Sequence, residues 1–161
     1  MDHEKFMRLA LAEAARARAA GDVPIGAVVV RLEDQVVVGR GHNRRELDAD
    51  PTAHAEILAL REAARVKGDW RLSGHRLYVT MEPCPMCAGA AVLARLDEVV
   101  YGAADPSAGA AGSLYDILAD PRLNHRVRVV GGVLREECAS IIREFFVNRR
   151  EKGARRDRTT W

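Results

Sequence analysis

The side chains best suited to chemistry lie in two short stretches, Thr52-Ala53-His54-Ala55-Glu56 and Pro83-Cys84-Pro85-Met86-Cys87. Cys84 and Cys87 are three residues apart and lead into the small-residue run Ala88-Gly89-Ala90-Ala91, so they fit one face of a helix's first turn. Pro83 and Pro85 suit the approach to that turn and its first positions, where a missing N–H costs nothing. The positive end of the helix dipole favours thiolate over thiol, and so favours metal ligation. His54 is the natural third ligand. Two thiolates and a neutral imidazole balance the charge of Zn²⁺ and leave its fourth position open, which separates a catalytic zinc from a structural one.

Glu56 lies two residues beyond His54, so on one helical turn their side chains point in different directions. Both can still border a site that meets the helix end-on, which puts a carboxylate near the metal without ligating it. Zinc lowers the pKa of a coordinated water towards neutrality, and a nearby carboxylate can take that proton and hand it on. That pairing suits hydrolytic attack on an amidine-like carbon with loss of ammonia. Other readings compete. A lone Cys-x-x-Cys serves redox chemistry or half of a structural zinc site, and His42, His75 and His125 are candidate fourth ligands. No second Cys or His pair at ligand spacing supports the structural reading, and His-x-Glu upstream favours the catalytic one.

The elements that must position these residues read as follows. Met7, Ala10, Leu11 and Ala14 have helical spacing, and Gly21 with Pro24 ends that helix. Ile25–Val30 and Val36–Val38 form a hairpin. A helix from about Thr52, its N-cap, to Lys67 sets Ala53, Ile57, Leu60 and Ala64 on one face. A strand at Leu77–Thr80, the Cys84 helix to about Arg95, and strands at Glu98–Tyr101 and Val127–Val130 follow. A last helix carries Cys138, Ile141, Ile142 and Phe145, with Cys138 as buried packing and Phe145 and Phe146 mainly core. The expected fold is α/β: a three-layer α/β/α arrangement whose central mixed sheet has about five strands flanked by helices. Both proposed ligand sets fall where strands hand over to helices, a common place for ligands in open sheets.

At 161 residues the chain fits one domain with a sizeable core, 1–161, ending in a basic tail from about 149. Three cysteines, two of them at ligand spacing, argue for a reducing compartment, and the cytoplasm is the default. There is no membrane-spanning run and no signal-peptide core. Residues 149–158 carry six Lys/Arg and two Asp/Glu, a net +4 on a chain of +2 overall. A basic tail on a near-neutral remainder suits a polyanionic partner, though a solvated, frayed terminus is the plain alternative.

His54-x-Glu56 followed by Pro83-Cys84-x-x-Cys87 is the signature of the zinc-dependent nucleobase deaminases. Asp50-Pro-Thr-Ala-His-Ala-Glu56, Tyr78-Val-Thr-Met-Glu-Pro-Cys84, Met86-Cys-Ala-Gly-Ala90, Gly109-Ala-Ala-Gly-Ser-Leu114 and Asn124-His-Arg126 closely resemble the bacterial tRNA-specific adenosine deaminases, a branch of the cytidine deaminase-like superfamily. The resemblance spans about Phe6 to Arg150. It implies deamination of adenosine to inosine at the anticodon wobble position of a tRNA, one zinc held by His54, Cys84 and Cys87, and Glu56 as the proton shuttle. It also implies substrate contacts from Asn43, Ala55 and the backbone around Glu82 and Pro83 to Cys84, an aromatic at Phe146 beside the substrate loop, and anticodon-loop contacts from Asp105, Asn124 and Arg126. A homodimer holding the RNA between its chains is implied as well. Read without the resemblance, Asn43 serves its turn, Asp105-Pro106 is a turn signal and Asn124 is a loop residue. Arg45-Glu-Leu-Asp-Ala49 departs from the pattern. The rivals are a deaminase of a free base or nucleoside, of guanine or cytosine type, and a non-catalytic zinc-stabilised RNA-binding module.

Overall fold

The computed structural model describes residues 2–158. Its elements run α1 (His3–Ala19), β1 (Gly26–Arg31), β2 (Val36–His42), α2 (Ala55–Lys67), β3 (His75–Met81), α3 (Pro85–Leu93), β4 (Glu98–Ala103), β5 (Arg128–Val130) and α4 (Arg135–Arg158). The five strands form one mixed sheet in the order β2-β1-β3-β4-β5. β1 pairs antiparallel with β2 and β3, while β3, β4 and β5 run parallel.

Side-chain alternation along the strands builds a core on each face. Ala27, Val29, Leu77, Val79 and Val99 point towards α2 and α3, where Ala59, Ala63, Ala88 and Ala91 meet them. Val28, Val30, Tyr78 and Val100 point the other way, onto Phe6, Met7 and Ala10 of α1 and Cys138 of α4. The three-layer order expected from the sequence is the one observed.

The α2 helix differs from expectation at both its start and its buried face. It begins at Ala55, with His54 as N-cap, while Thr52 hydrogen-bonds Asp50. Its buried face is Ala55, Glu56, Ala59, Leu60 and Ala63, not Ala53, Ile57, Leu60 and Ala64. Close backbone approach explains the rotation. A methyl group on Gly39 would lie 2.2 Å from the Ala59 carbonyl oxygen, and one on Gly41 2.2 Å from that of Ala55. Alanines on the helix and glycines on β2 let the two backbones touch, and this contact turns Glu56 inward.

The C-terminal end also differs. α4 continues through the basic stretch to Arg158, so residues 149–158 are helical, and residues 159–161 of the expected tail lie outside the described residues. Phe145 is half-buried and Phe146 is 40% exposed, so neither is a core residue; Cys138 is fully buried as expected. Phe145 and Phe146 sit edge to face, 5.4 Å between ring centroids.

Candidate metal centre and substrate pocket

His54 and Cys84 are both N-cap residues in extended backbone, and neither side chain caps its own helix. Each is therefore free to project past the helix end. Cys87 follows one turn into α3, and Glu56 lies in the first turn of α2. The sheet brings the two helix starts together. His54 Nδ1 stands 3.7 Å from Cys84 Sγ and 3.6 Å from Cys87 Sγ. All three donor atoms lie within 4.8 Å of one another, and these residues are the only such group among those described.

That spacing fits zinc. With zinc–sulfur near 2.3 Å and zinc–nitrogen near 2.0–2.1 Å at a tetrahedral angle, a ligating N and S stand about 3.6 Å apart. The electrostatics fit as well. The Cys84 thiol is pulled down to about 4, first by a hydrogen bond from Cys87 and further by His54. The same contact and burial hold the proton on Cys87, and the Cys84 partner raises His54. Glu56 is 4% exposed, and burial pushes its carboxyl above the usual carboxylate range. The histidines that could have supplied a fourth ligand are engaged elsewhere: His42 with Glu13, His75 with the Ser73 carbonyl and His125 with the Leu96 carbonyl.

His54, Glu56 and Cys84 open into a pocket of about 330 Å³. Of the residues singled out from sequence, Asn43, Ala55, Glu82, Asp105 and Phe146 also line it. Sequence reasoning missed Val23, Ile25, Arg45 and Ile142, and with them Met81, Ser107 and Ala108, which also line it. In sequence, Val23-Pro-Ile25 carries only the signals of a helix end and a strand start, and Arg45 sits in the stretch that departs from the family pattern.

Asn43 is buried just past β2; its Oδ1 accepts from the Arg45 N–H at 3.2 Å, which leaves the amide NH₂ without a partner among the described residues. Asp105 is indeed a turn residue, Oδ1 accepting from Ser107 and the Ala108 N–H.

Two expected contacts change character. The Glu82 carboxylate collects the N–H groups of Asp105 (3.1 Å), Ala111 (3.0 Å) and Ser113 (3.1 Å), together with the Ser113 hydroxyl. It ties down the 105–113 loop, and a methyl group on Gly109 would lie 2.4 Å from its Cδ. The Glu82 N–H is already bonded to the Ala103 carbonyl, and the buried Pro83 has no N–H while its carbonyl accepts from Ala110. Of this stretch, only the Cys84 N–H makes no hydrogen bond among the described residues.

Asn124 and Arg126 are not brought to the pocket. They are exposed and lead into β5 at Arg128, which pairs with Glu98 at the start of β4, whereas the pocket adjoins Met81 and Ala103 at the far ends of β3 and β4. Five residues of strand separate these ends, about 17 Å.

The family model described as MafB19-like deaminase matches residues 1–150, and the chain belongs to that family. Within it the chain sits with the tRNA-specific adenosine deaminases. It is 47% identical to the tRNA-specific adenosine deaminase of Bacillus subtilis (strain 168) over 156 residues, 96% of each chain. A solved structure from work on A-to-I editing by tRNA:A34 deaminases at the wobble position of transfer RNA is 44% identical, with a TM-score of 0.81 over 85% of this chain and 98% of that one. The X-ray structure of guanine deaminase from Bacillus subtilis is 35% identical, with a TM-score of 0.62 over 80% of this chain and 83% of that one.

Proposed function

We propose that this chain hydrolyses the 6-amino group of adenosine in tRNA, at the anticodon wobble position, giving inosine and ammonia. The observation that carries the reading is the buried Glu56 carboxyl beside the His54–Cys84–Cys87 donor set, lining a pocket of about 330 Å³. The relatives named tRNA-specific adenosine deaminase support the choice of substrate.

His54, Cys84 and Cys87 would hold one zinc ion, which when bound makes water acidic enough to attack at neutral pH. Glu56 takes a proton from the attacking water and delivers it to N1 of the purine. It then takes the second proton from the oxygen now on C6 and passes it to the departing amine, so ammonia leaves and the C6 carbonyl forms. A carboxyl whose pKa is raised by burial suits both acceptance and release. The free Cys84 N–H is the donor for the oxygen developing on C6, in the role expected of the Glu82–Cys84 backbone. The Asn43 amide is placed to read the nucleoside, and Val23, Ile25, Ile142 and Phe146 supply apolar walls for a splayed-out base. Glu82 and Asp105 shape the loop wall.

The chain is proposed to act in the cytoplasm, where tRNA is found; no described helix is long and apolar enough to cross a membrane. It is also proposed to act as a homodimer. An apolar groove between α2 and α3, in which Trp70 and Leu93 are more than half exposed, supports a second copy there.

The guanine deaminase likeness favours one alternative, a free-base substrate. Incubation with an anticodon stem-loop RNA and, separately, with free guanine, each followed by mass spectrometry, tests the choice. Conversion of adenosine in the stem-loop is expected, and turnover of guanine alone would replace this reading.

A further inference from the structure

We propose that a cationic cleft beside the pocket, walled by Arg18, Arg149 and Lys152, binds a phosphodiester of the RNA strand next to the nucleotide being deaminated. The inference rests on RNA being the substrate. The cleft has a volume of about 300 Å³ and shares a partition with the reaction pocket. Arg45 and Phe146 face the pocket, while their chain neighbours Glu46 and Phe145 face the cleft. A strand whose base enters the pocket must pass its backbone over one rim or the other. Elsewhere the pocket lining includes the Asp105 carboxylate, which repels phosphate, whereas Arg45 and the adjoining cleft attract it, so the strand runs over the cationic side.

The cleft's own chemistry matches a phosphodiester. Arg149 lies over the Phe145 ring, 5.9 Å from its centroid, and both side chains line the cleft. One of its nitrogens donates to Glu46 Oε1 at 3.0 Å. Lys152 has no ion pair among the described residues. Glu46 therefore shields Arg149 until a phosphate takes its place, and the Glu46 backbone stays put because its N–H is held by the buried Asp22 carboxylate at 2.9 Å. A merely solvated helix face would show no dependence of RNA affinity on these side chains.

The test measures binding of an anticodon stem-loop RNA to the full chain by fluorescence anisotropy over a range of salt concentrations. Each of Arg149→Ala and Lys152→Ala should lower the slope of log affinity against log salt by about 0.7, equivalent to about five-fold weaker binding at 0.1 M salt relative to 1 M. Glu46→Gln should bind more tightly than the parent. Arg31→Ala, at the opposite end of the sheet, should leave the slope unchanged. Parental slopes in the two cation variants overturn the proposal. So does an equal loss in Arg31→Ala, or weakened binding in Glu46→Gln. A parent that binds the stem-loop without converting its adenosine sinks the reaction proposed above and leaves this site standing. A parent that converts it while both cation variants behave like the parent sinks this site alone, and a parent that binds no RNA sinks both.

Discussion

His54 Nδ1 and Cys87 Sγ lie 3.6 Å apart although 33 residues separate them in the chain. Nothing local holds that distance; it is set by two helices starting at the same end of one sheet. The donor set should therefore behave as a unit. Purified parent should contain one zinc per chain, and His54→Ala and Cys84→Ser should each reduce that content by well over half while remaining folded by circular dichroism. Removal of zinc by a chelator should abolish deamination, and added zinc should restore it. Full zinc content in both variants, measured by plasma emission, would contradict the assignment.

The contact of α2 with β2 leaves no room for a side chain at Gly41, so Gly41→Ala forces the helix away from the strand. Overpacking of this kind costs about 1–3 kcal/mol, seen as a lower urea midpoint. Because α2 carries His54, zinc affinity should fall along with stability. Unchanged stability would show that the helix shifts freely.

Order, type and approximate limits of the strands were legible because alternation and β-branched runs report burial on a sheet. The grouping of His54, Cys84 and Cys87 into a set able to hold a metal was legible because residue type and spacing define it. Three features were not. Apolar periodicity assigned the wrong face to α2, since it cannot see that glycines on a neighbouring strand invite the alanine face inward. It placed Phe145 and Phe146 in the core because helical spacing does not reveal where α4 outruns the sheet. Where Asn124 and Arg126, expected at the anticodon loop, would sit in the fold was not legible either: only the parallel register of β5 on β4 puts their segment at the end of the sheet away from the pocket. The bonds from Glu82 to the 105–113 loop link segments about 30 residues apart and have no periodic signal.

Glu82 carries a pH signature. Burial alone would raise its carboxyl, but hydrogen bonds from Ser113 and from the backbone N–H groups of Asp105 and Ala111 outweigh it and leave the pKa below its ordinary 4.5. A folded-state value below the unfolded one means the stabilisation is complete above the unfolded value and is lost as pH falls through the folded one. Glu82→Gln turns an NH₂ towards N–H donors and should cost about 1–3 kcal/mol at pH 7. Urea titrations should show that gap from the parent shrinking below about pH 4.5. A gap that stays constant to lower pH would rule out the carboxylate as the loop's anchor.

Leu93 is 69% exposed on the apolar groove between α2 and α3. If the proposed dimer forms through this groove, Leu93→Glu should place a charge in it and convert dimer to monomer in sedimentation velocity, with the zinc content of each chain retained. A parent already monomeric at micromolar concentration would remove the dimer from the account.

Sequencing of tRNA from cells deleted for this protein, complemented either with the parent or with Glu56→Ala, tests the central claim most directly. Inosine at the wobble position should vanish on deletion, return with the parent, and fail to return with Glu56→Ala, a variant expected to keep its zinc and to lose about 10²–10⁴ in turnover. Inosine that persists in the deleted cells, or that Glu56→Ala restores as well as the parent does, would contradict it.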